Sequence, residues 1–312
     1  MKFKEKSKNI LFICKLYPPH IGGVEKHVFE ISRILKEKGY KLTILTEKYD
    51  DYLESSEIVN GIRVIRICYP YVKFFGIFFI WWKLFGLRKL IKMADLIHIH
   101  DVFIWYLPFK LFYPSKRIII TSHGLEFDKP FSKTSIWQKR LANKLADKTI
   151  GVGKYLERFL NIKFDLITYG GITPSKKVYV KKKDTIVYLG RLDRDTGINN
   201  FLYWLNKNPK YKVEFCGDGP MRKLCEKFGK VHGFIKNTSV YLNKSEYCVP
   251  GGYLSALEAL NVDCKLKLFW NTRLRGEIWK SSPFVRKNAA SWAKKQTWEK
   301  LADEYIRLYN SI

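Results

Sequence analysis

Uninterrupted apolar runs, rather than alternating ones, open the chain. Asn9–Cys14 is the first. A turn with Pro18, Pro19, Gly22 and Gly23 follows, and Val24, Val28, Ile31 and Leu35 then recur at helical spacing up to Gly39. A strand that is apolar at successive positions is buried on both faces, which is the condition of a strand inside a parallel sheet. Further runs at 41–46, 62–68, 96–100, 117–121 and 148–152 extend the series. Strands and helices alternating over short connections predict an α/β fold with a doubly wound parallel sheet.

The pattern breaks at 170–184, where Gly170-Gly171, Pro174 and five lysines between 176 and 183 read as a linker. A second series then begins, with strands at 185–189, 212–216, 247–249 and 265–269 and helices at 198–206, 220–228 and 253–262. The stretch 289–309 fits one amphipathic helix with Trp292, Leu301, Tyr305 and Leu308 as its apolar set. The expected organisation is a first α/β domain at 1–172, a linker at 173–184, a second α/β domain at 185–288, and a helical segment at 289–312 that packs back on the first domain. Two such lobes imply a cleft between them, and ligands favour the carboxyl ends of the strands there.

Composition narrows the partners. Of 312 residues, 46% are hydrophobic and 28% charged, so the chain has the means to bury two cores and is not disordered. Lys and Arg outnumber Asp and Glu by 57 to 29, a net charge of +28, which calls for something negative nearby: phosphorylated substrate, nucleic acid or an anionic membrane face. The segment 58–94 holds seven Lys or Arg and no acidic residue, and it contains the aromatic run 74–82. Trp81, Trp82, Lys83, Arg88 and Lys89 in that segment read as a membrane-contacting element. The run is far short of the roughly 20 residues a membrane-spanning helix needs. The apolar run at 10–14 is too short for a signal-peptide core. A cytoplasmic protein, peripheral at the cytoplasmic membrane face, is expected. The six cysteines form no CxxC and mostly lie in apolar runs, so they are expected to be buried free thiols.

Three local features carry chemistry. Gly22-Gly23 stands between a strand and a helix start, where unpaired backbone N–H groups and the helix dipole attract phosphate; a plain tight turn has the same signature. His98 and His100 alternate on one strand face, but with no third ligand and no helical HxxxH spacing they make no zinc site. No GxGxxG follows the first strand, which argues against a dinucleotide oxidoreductase. No helix-turn-helix, RRM or zinc pattern is present, so a specific nucleic-acid partner is not expected.

The sequence resembles the retaining, nucleotide-sugar-dependent glycosyltransferases with two Rossmann-like lobes, the GT-B architecture of glycosyltransferase family 4. The resemblance rests on Tyr17-Pro-Pro-His-Ile-Gly-Gly-Val-Glu25, Asp95-Leu-Ile-His-Ile-His100, Thr121-Ser-His-Gly124 and Tyr169-Gly-Gly-Ile172 in the first half. Leu189-Gly-Arg-Leu192, Gly217-Asp-Gly-Pro220, His232-Gly-Phe-Ile235 and Leu257-Glu-Ala-Leu260 follow in the second. It implies that Gly22 and Gly23 donate to the diphosphate of the donor and that Arg191 clamps it, a guanidinium fork being suited to two phosphate oxygens. Glu258 would accept from the ribose hydroxyls. Gly217, Asp218, Gly219, Gly233 and Phe234 would line the nucleotide, and His123 would face the transferring sugar with His100 near the same cleft. Asp193-Arg-Asp195 imitates a DxD metal motif, but in this family that place is a loop, and no metal is required where arginine and a helix N-terminus face the diphosphate.

Two positions depart from the family pattern. The first glutamate of Glu-x7-Glu is replaced by Pro250, and the lysine five positions after the clamp arginine is Thr196. Arg194 is a candidate substitute for that lysine. Tyr253, or the backbone of Gly251 and Gly252, is a candidate to grip the donor sugar. The expectation is a glycosyltransferase that needs no cofactor beyond its nucleoside-diphosphate-sugar donor and acts with retention on a lipid-linked or glycan acceptor at the membrane. The alternative is a weak or inactive nucleotide-sugar-binding subunit of a glycan-assembly complex.

Overall fold

The computed structural model describes residues 8–70, 72, 75–124, 132–175 and 180–312. In its first lobe the strands are β1 Asn9–Cys14, β2 Lys41–Glu47, β3 Ser56–Val59, β4 Ile62–Ile67, β5 Leu96–His100, β6 Arg117–Ser122, β7 Lys148–Val152 and β8 Leu166–Thr168. They form one sheet in the order β3-β4-β2-β1-β5-β6-β7-β8, parallel throughout except that β3 runs antiparallel to β4. Its helices are α1 Gly23–Glu37, α2 Gly76–Gly86, α3 Arg88–Met93, α4 Phe103–Phe112, α5 Lys133–Leu145 and α6 Tyr155–Leu160.

The period-two geometry of β1 sorts its side chains into two cores. Ile10, Phe12 and Cys14 pack with Val28, Ile31 and Leu35 of α1, while Leu11 and Ile13 pack with α2, α4 and α5 on the other face. Both faces are therefore covered, as the unbroken apolar run predicts. Each fully buried aliphatic side chain of this kind contributes about 1.5–3 kcal/mol.

The second lobe holds β9 Lys182–Leu189, β10 Lys212–Cys216, β11 Gly229–Val231, β12 Ser245–Pro250 and β13 Lys265–Leu266. They form a parallel sheet in the order β11-β10-β9-β12-β13. Its helices are α7 Ile198–Asn206, α8 Arg222–Cys225, α9 Ser239–Leu242, α10 Tyr253–Asn261, α11 Arg273–Lys280 and α12 Ala289–Lys294. The helix expected at 220–228 shrinks to the single turn of α8, and the strand expected at 265–269 ends at Leu266. Part of the expected linker, 176–179, lies outside the described residues.

The single helix expected at 289–309 is two. Ala289 and Ala293 of α12 pack into the second lobe, whereas α13, Trp298–Asn310, crosses to the first. There Trp298, Leu301, Ala302, Tyr305 and Tyr309 join the core of α1. One straight helix cannot face both lobes. The turn comes at Thr297, whose side chain accepts the Lys300 N–H at 3.1 Å and caps α13. Cys14, Cys216, Cys225, Cys248 and Cys264 are buried free thiols; Cys68, just past the end of β4, is exposed instead.

Candidate functional site

Parallel strands deliver their following residues to one edge of a sheet, and the two edges meet. Register pairs Cys14 with His100 and His100 with Thr121 in the first lobe, and Leu189 with Cys216 and Pro250 in the second. The residues just beyond these ends lie where the two lobes meet, the place of the expected crevice.

On the first-lobe side, Gly22 caps α1 in extended conformation without a side-chain bond. Among the described residues, the amide N–H groups of Gly22 and Gly23 have no partner. A side chain would meet close contact at Gly22 but only ordinary contact at Gly23. A Cβ on Gly22 would fall against the Glu25 carboxylate, 2.9 Å from its Cδ. A Cβ on Gly23 would reach 3.9 Å from Leu254 of α10 in the other lobe. The first turns of α1 and α10 thus approach one another where the lobes meet, with the Glu25 carboxylate lying against Gly22 at the start of α1, and the dipole of each helix favours negative charge at its own N-terminus.

On the second-lobe side the turns after β9, β10 and β12 pack backbone to backbone. A Cβ on Gly190, which has φ +156°, would lie 2.7 Å from the Gly251 Cα, and one on Gly219, φ +151°, would lie 2.5 Å from the Leu192 carbonyl oxygen. Only glycine fits such turns. Gly217 pairs with Gly233 in an isolated bridge, Asp218 accepts the Gly219 N–H at 2.8 Å and an Arg222 N–H at 2.6 Å, and Phe234 is half exposed.

Arg191 leaves this glycine cluster half exposed, with one guanidinium nitrogen 2.6 Å from the buried Asp195 carboxylate and another 3.8 Å from Asp193. The two aspartates that imitate a metal motif are thus arginine partners. Arg275 of α11 also approaches Asp195: its Nε donates to the Asp195 carbonyl at 2.9 Å, and its side chain lies 3.7 Å from the carboxylate. No sequence motif marks Arg275. Thr196 is buried, its hydroxyl donating to the Asp193 carbonyl at 2.6 Å and accepting from Tyr188 at 2.7 Å, so it offers nothing to an anion. Arg194 is exposed.

Glu258 lies on α10 and is engaged from both lobes. It accepts from Thr238 at 2.8 Å and forms an ion pair with Lys26 of α1. The candidates for gripping a sugar are engaged within the protein. The Tyr253 hydroxyl donates to the Ile278 carbonyl at 2.9 Å, and its ring packs among Tyr169, Trp279 and Phe284. The Gly251 N–H is held by the Leu189 carbonyl and the Gly252 N–H by the Ser255 hydroxyl. None of these three groups is free to donate.

The histidines form one cluster at the first-lobe edge. Alternation on β5 stacks His98 on His100, centroids 4.5 Å apart. His98 bonds to Tyr309 at 2.7 Å and Thr121 at 2.8 Å, His27 of α1 bonds to Tyr305 at 2.8 Å, and its ring stands perpendicular to that of His123. His100 Nδ1 lies 2.9 Å from His123 Nε2. His100 is 1% exposed and lies against His123. Burial holds His27, His98, His100 and His123 all below the ordinary imidazole range, His98 at about 3. Asp101 accepts the His123 backbone N–H at 3.0 Å and Lys139 at 2.8 Å; burial raises its carboxyl, but these partners outweigh it and the net shift is downward. Among the described residues no group of three His, Cys, Asp or Glu is placed to hold a metal.

Of the basic aromatic segment, 58–67 falls on β3 and β4 and 76–93 on α2 and α3, which break apart at Leu87, while Tyr71, Lys73 and Phe74 lie outside the described residues. Ile80, Leu84 and Ile91 are buried, while Phe75, Phe78, Trp82, Phe85, Leu111 and Phe112 are exposed. Trp81 is partly buried, its indole N–H donating to the Ile104 carbonyl at 2.9 Å, and its ring lines the same groove as Trp82. Trp82, under the Lys83 ammonium at 5.1 Å, lines an open groove of about 710 Å³ with Phe85, Gly86, Arg88 and Pro108. Lys89 is exposed beside it. Among the described residues no helix is long and apolar enough to cross a membrane.

The family named Glycosyltransferase Family 4 matches residues 21–166. An uncharacterized glycosyltransferase of Methanocaldococcus jannaschii is 28% identical over 72% of this chain and 66% of its own length. The GPI3 subunit of the Saccharomyces cerevisiae phosphatidylinositol N-acetylglucosaminyltransferase is 34% identical over 19% of this chain and 13% of its own length. The chain thus spans just under two thirds of the first relative and a small part of the second. Among solved structures, sucrose-phosphate synthase from Thermosynechococcus elongatus superposes with a TM-score of 0.73 at 17% identity, covering 97% of this chain and 98% of that one. Anabaena HepE in complex with UDP and glucose does so at 0.68 and 13% identity, covering 97% and 99%. The fold is that of the GT-B glycosyltransferases, and with the family match and the archaeal relative it supports a GT-B glycosyltransferase.

Proposed function

We propose that this chain transfers a sugar from a nucleoside diphosphate to a lipid-linked or glycan acceptor at the cytoplasmic face of a membrane, with retention of anomeric configuration. The observation that carries the proposal is the approach of the first turns of α1 and α10 where the lobes meet, with the unpartnered Gly22 and Gly23 amides on one side. A diphosphate fits that field, and Arg191 adds a fork on the other side. Departure of the diphosphate is then the assisted step: amides and guanidinium stabilise the charge that grows on its oxygens as the glycosidic bond breaks. The acceptor hydroxyl attacks from the same face, which retains configuration without a protein nucleophile. Glu258 would release Lys26 to receive the ribose, Gly217, Asp218, Gly219, Gly233 and Phe234 would border the nucleotide, and His123 would face the sugar. The UDP-bound structural neighbour supports a nucleotide donor, and no further cofactor is invoked.

A panel of UDP- and GDP-sugars tested by thermal shift examines this directly. One donor should raise the melting temperature with the logarithm of its concentration once this exceeds Kd, since ligand that binds only the folded state stabilises it by mass action. That donor should be consumed when membrane lipid is added. Absence of any shift across the panel would overturn the reading. The second reading, a binding subunit with little or no turnover, draws on Thr196 and Pro250, which stand where a lysine and a glutamate are expected; it requires the shift without consumption.

The anionic membrane is the proposed partner of the α2 patch. Its exposed aromatics supply area to bury, and each basic group near anionic lipid adds about 1 kcal/mol. Sedimentation with vesicles should show binding that needs anionic lipid, and Trp82→Ser with Arg88→Gln should lower the partition coefficient about tenfold or more. Equal binding of that variant would remove the patch from the account.

A further inference from the structure

We infer that His100 is a positioning residue that fixes the tautomer of His123, so that His123 presents an Nδ1–H donor to the sugar. The inference rests on the proposed function for its substrate, but its physical basis is independent of it. Between His100 Nδ1 and His123 Nε2, 2.9 Å apart, there is a single hydrogen, because both rings are neutral in this buried cluster. It belongs to one nitrogen or the other.

The surroundings of His100 decide which. Its Nε2 is fully buried and, among the described residues, has no partner. If His123 were the donor, His100 would carry its own hydrogen on Nε2, leaving a buried N–H with nothing to accept it. Orphaned buried donors are rare and costly, whereas an idle acceptor lone pair is the milder defect. The hydrogen therefore sits on His100 Nδ1, and His123 Nε2 accepts. The other hydrogen of the neutral His123 ring must then be on Nδ1, since each neutral imidazole carries one N–H. Among the described residues no group bonds to that nitrogen, and it is not one of the sealed-off polar atoms.

The rest of the cluster holds this arrangement in place. His98 stacks on His100 and is bonded at both of its nitrogens, to Tyr309 and Thr121. The His27 ring stands perpendicular to His123, and its Nε2 is engaged by Tyr305. Asp101 fixes the His123 backbone through its N–H, with Lys139 on the same carboxylate oxygen. No member is free to rotate toward the His100–His123 bond and reverse it. His123 consequently recognises an oxygen lone pair on the sugar and does not serve as a base in the transfer.

Long-range nitrogen–proton NMR of the imidazoles in the full chain tests this without substitution: His123 should show a bare Nε2 and a protonated Nδ1. A proton on His123 Nε2 would overturn the inference. In His100→Leu the donor is lost, and the His123 hydrogen should redistribute toward Nε2; an unchanged tautomer would also overturn it. His100→Asn, whose amide stands near the place of Nδ1 and donates, should restore the wild-type pattern and serves if the leucine variant does not fold. With the donor sugar in hand, His100→Leu should lower kcat about tenfold with KM for the donor nearly constant, and His100→Asn should recover most of it. A wild-type rate in His100→Leu would deny the positioning role. If the spectra agree and no sugar is transferred, the functional reading fails and the tautomer assignment stands.

Discussion

If the proposed function holds, Arg191→Ala should lower the rate of sugar transfer about 100- to 1,000-fold while leaving the fold intact. The size follows from the role: a donor aimed at oxygens that gain charge in the transition state is worth about 3–4 kcal/mol. The absence of a fold effect follows from the geometry. Arg191 is 45% exposed, and its pair with Asp193 is an exposed one, of a kind that contributes about 1 kcal/mol or less; its other partner, Asp195, is buried. The buried Asp195 carboxylate keeps Arg275 as a neighbour when Arg191 is removed. Arg191→Lys should recover only part of the rate, because an ammonium meets one phosphate oxygen where a guanidinium meets two. Steady-state kinetics beside a melting curve separate the two effects. Transfer at the wild-type rate by a well-folded Arg191→Ala protein would withdraw the diphosphate from this crevice.

What the sequence revealed and what it hid divide along physical lines. Strands buried on both faces announced themselves: β1, β5, β7 and β10 end where their apolar runs end. The overlooked strands are β3, β8 and β11, and all three are edge strands of three or four residues. An edge strand borders solvent on one side and needs no continuous apolar run, so its pattern is faint. The break at Thr297 was hidden for another reason. The heptad-like spacing of 289–309 is continuous, and only the positions of the two lobes require the chain to turn there. In the site, glycine positions were legible because a steric requirement writes itself into residue type, as at Gly190 against Gly251. Hydrogen-bond engagement was not legible. That Tyr253 is committed to Ile278, Gly251 to Leu189 and Glu258 to Lys26 depends on partners brought together only by the fold. The histidine cluster shows both cases: the alternation of His98 and His100 was readable, and the arrival of His27 and His123 from separate elements was not.

That cluster makes stability steeply dependent on pH. Four imidazoles are folded in neutral form, their pKa values depressed from an ordinary 6.5 mainly by burial, His98 to about 3. In the unfolded chain they titrate near the ordinary value. Above pH 6.5 neither state binds the protons and nothing is lost. Below it the unfolded chain binds protons that the native chain refuses, so each unit of pH removes about 1.4 kcal/mol per histidine until the folded pKa is reached. One unit below the midpoint His27, His98 and His100, the three held well below the ordinary value, together remove about 4 kcal/mol, close to the whole stability of a weaker domain, and the smaller depression of His123 acts in the same direction. The Asp101 carboxyl, held below its ordinary 3.8 by Lys139 and the His123 amide against the opposing effect of burial, contributes its own loss only at more acid pH and does not blur this window. Urea unfolding at pH 7.5 and 5.5 should therefore show the midpoint collapsing, with near-ultraviolet signals from Trp298, Tyr305 and Tyr309 lost first, since these rings pack against the cluster. Removing one titrating ring, as in His27→Phe, should flatten the dependence by about a quarter even where it alters stability at neutral pH. An unfolding free energy that changes by less than about 1 kcal/mol between the two conditions would mean that the cluster accepts protons in the folded state, and the neutral network that orders His123 would have to be redrawn.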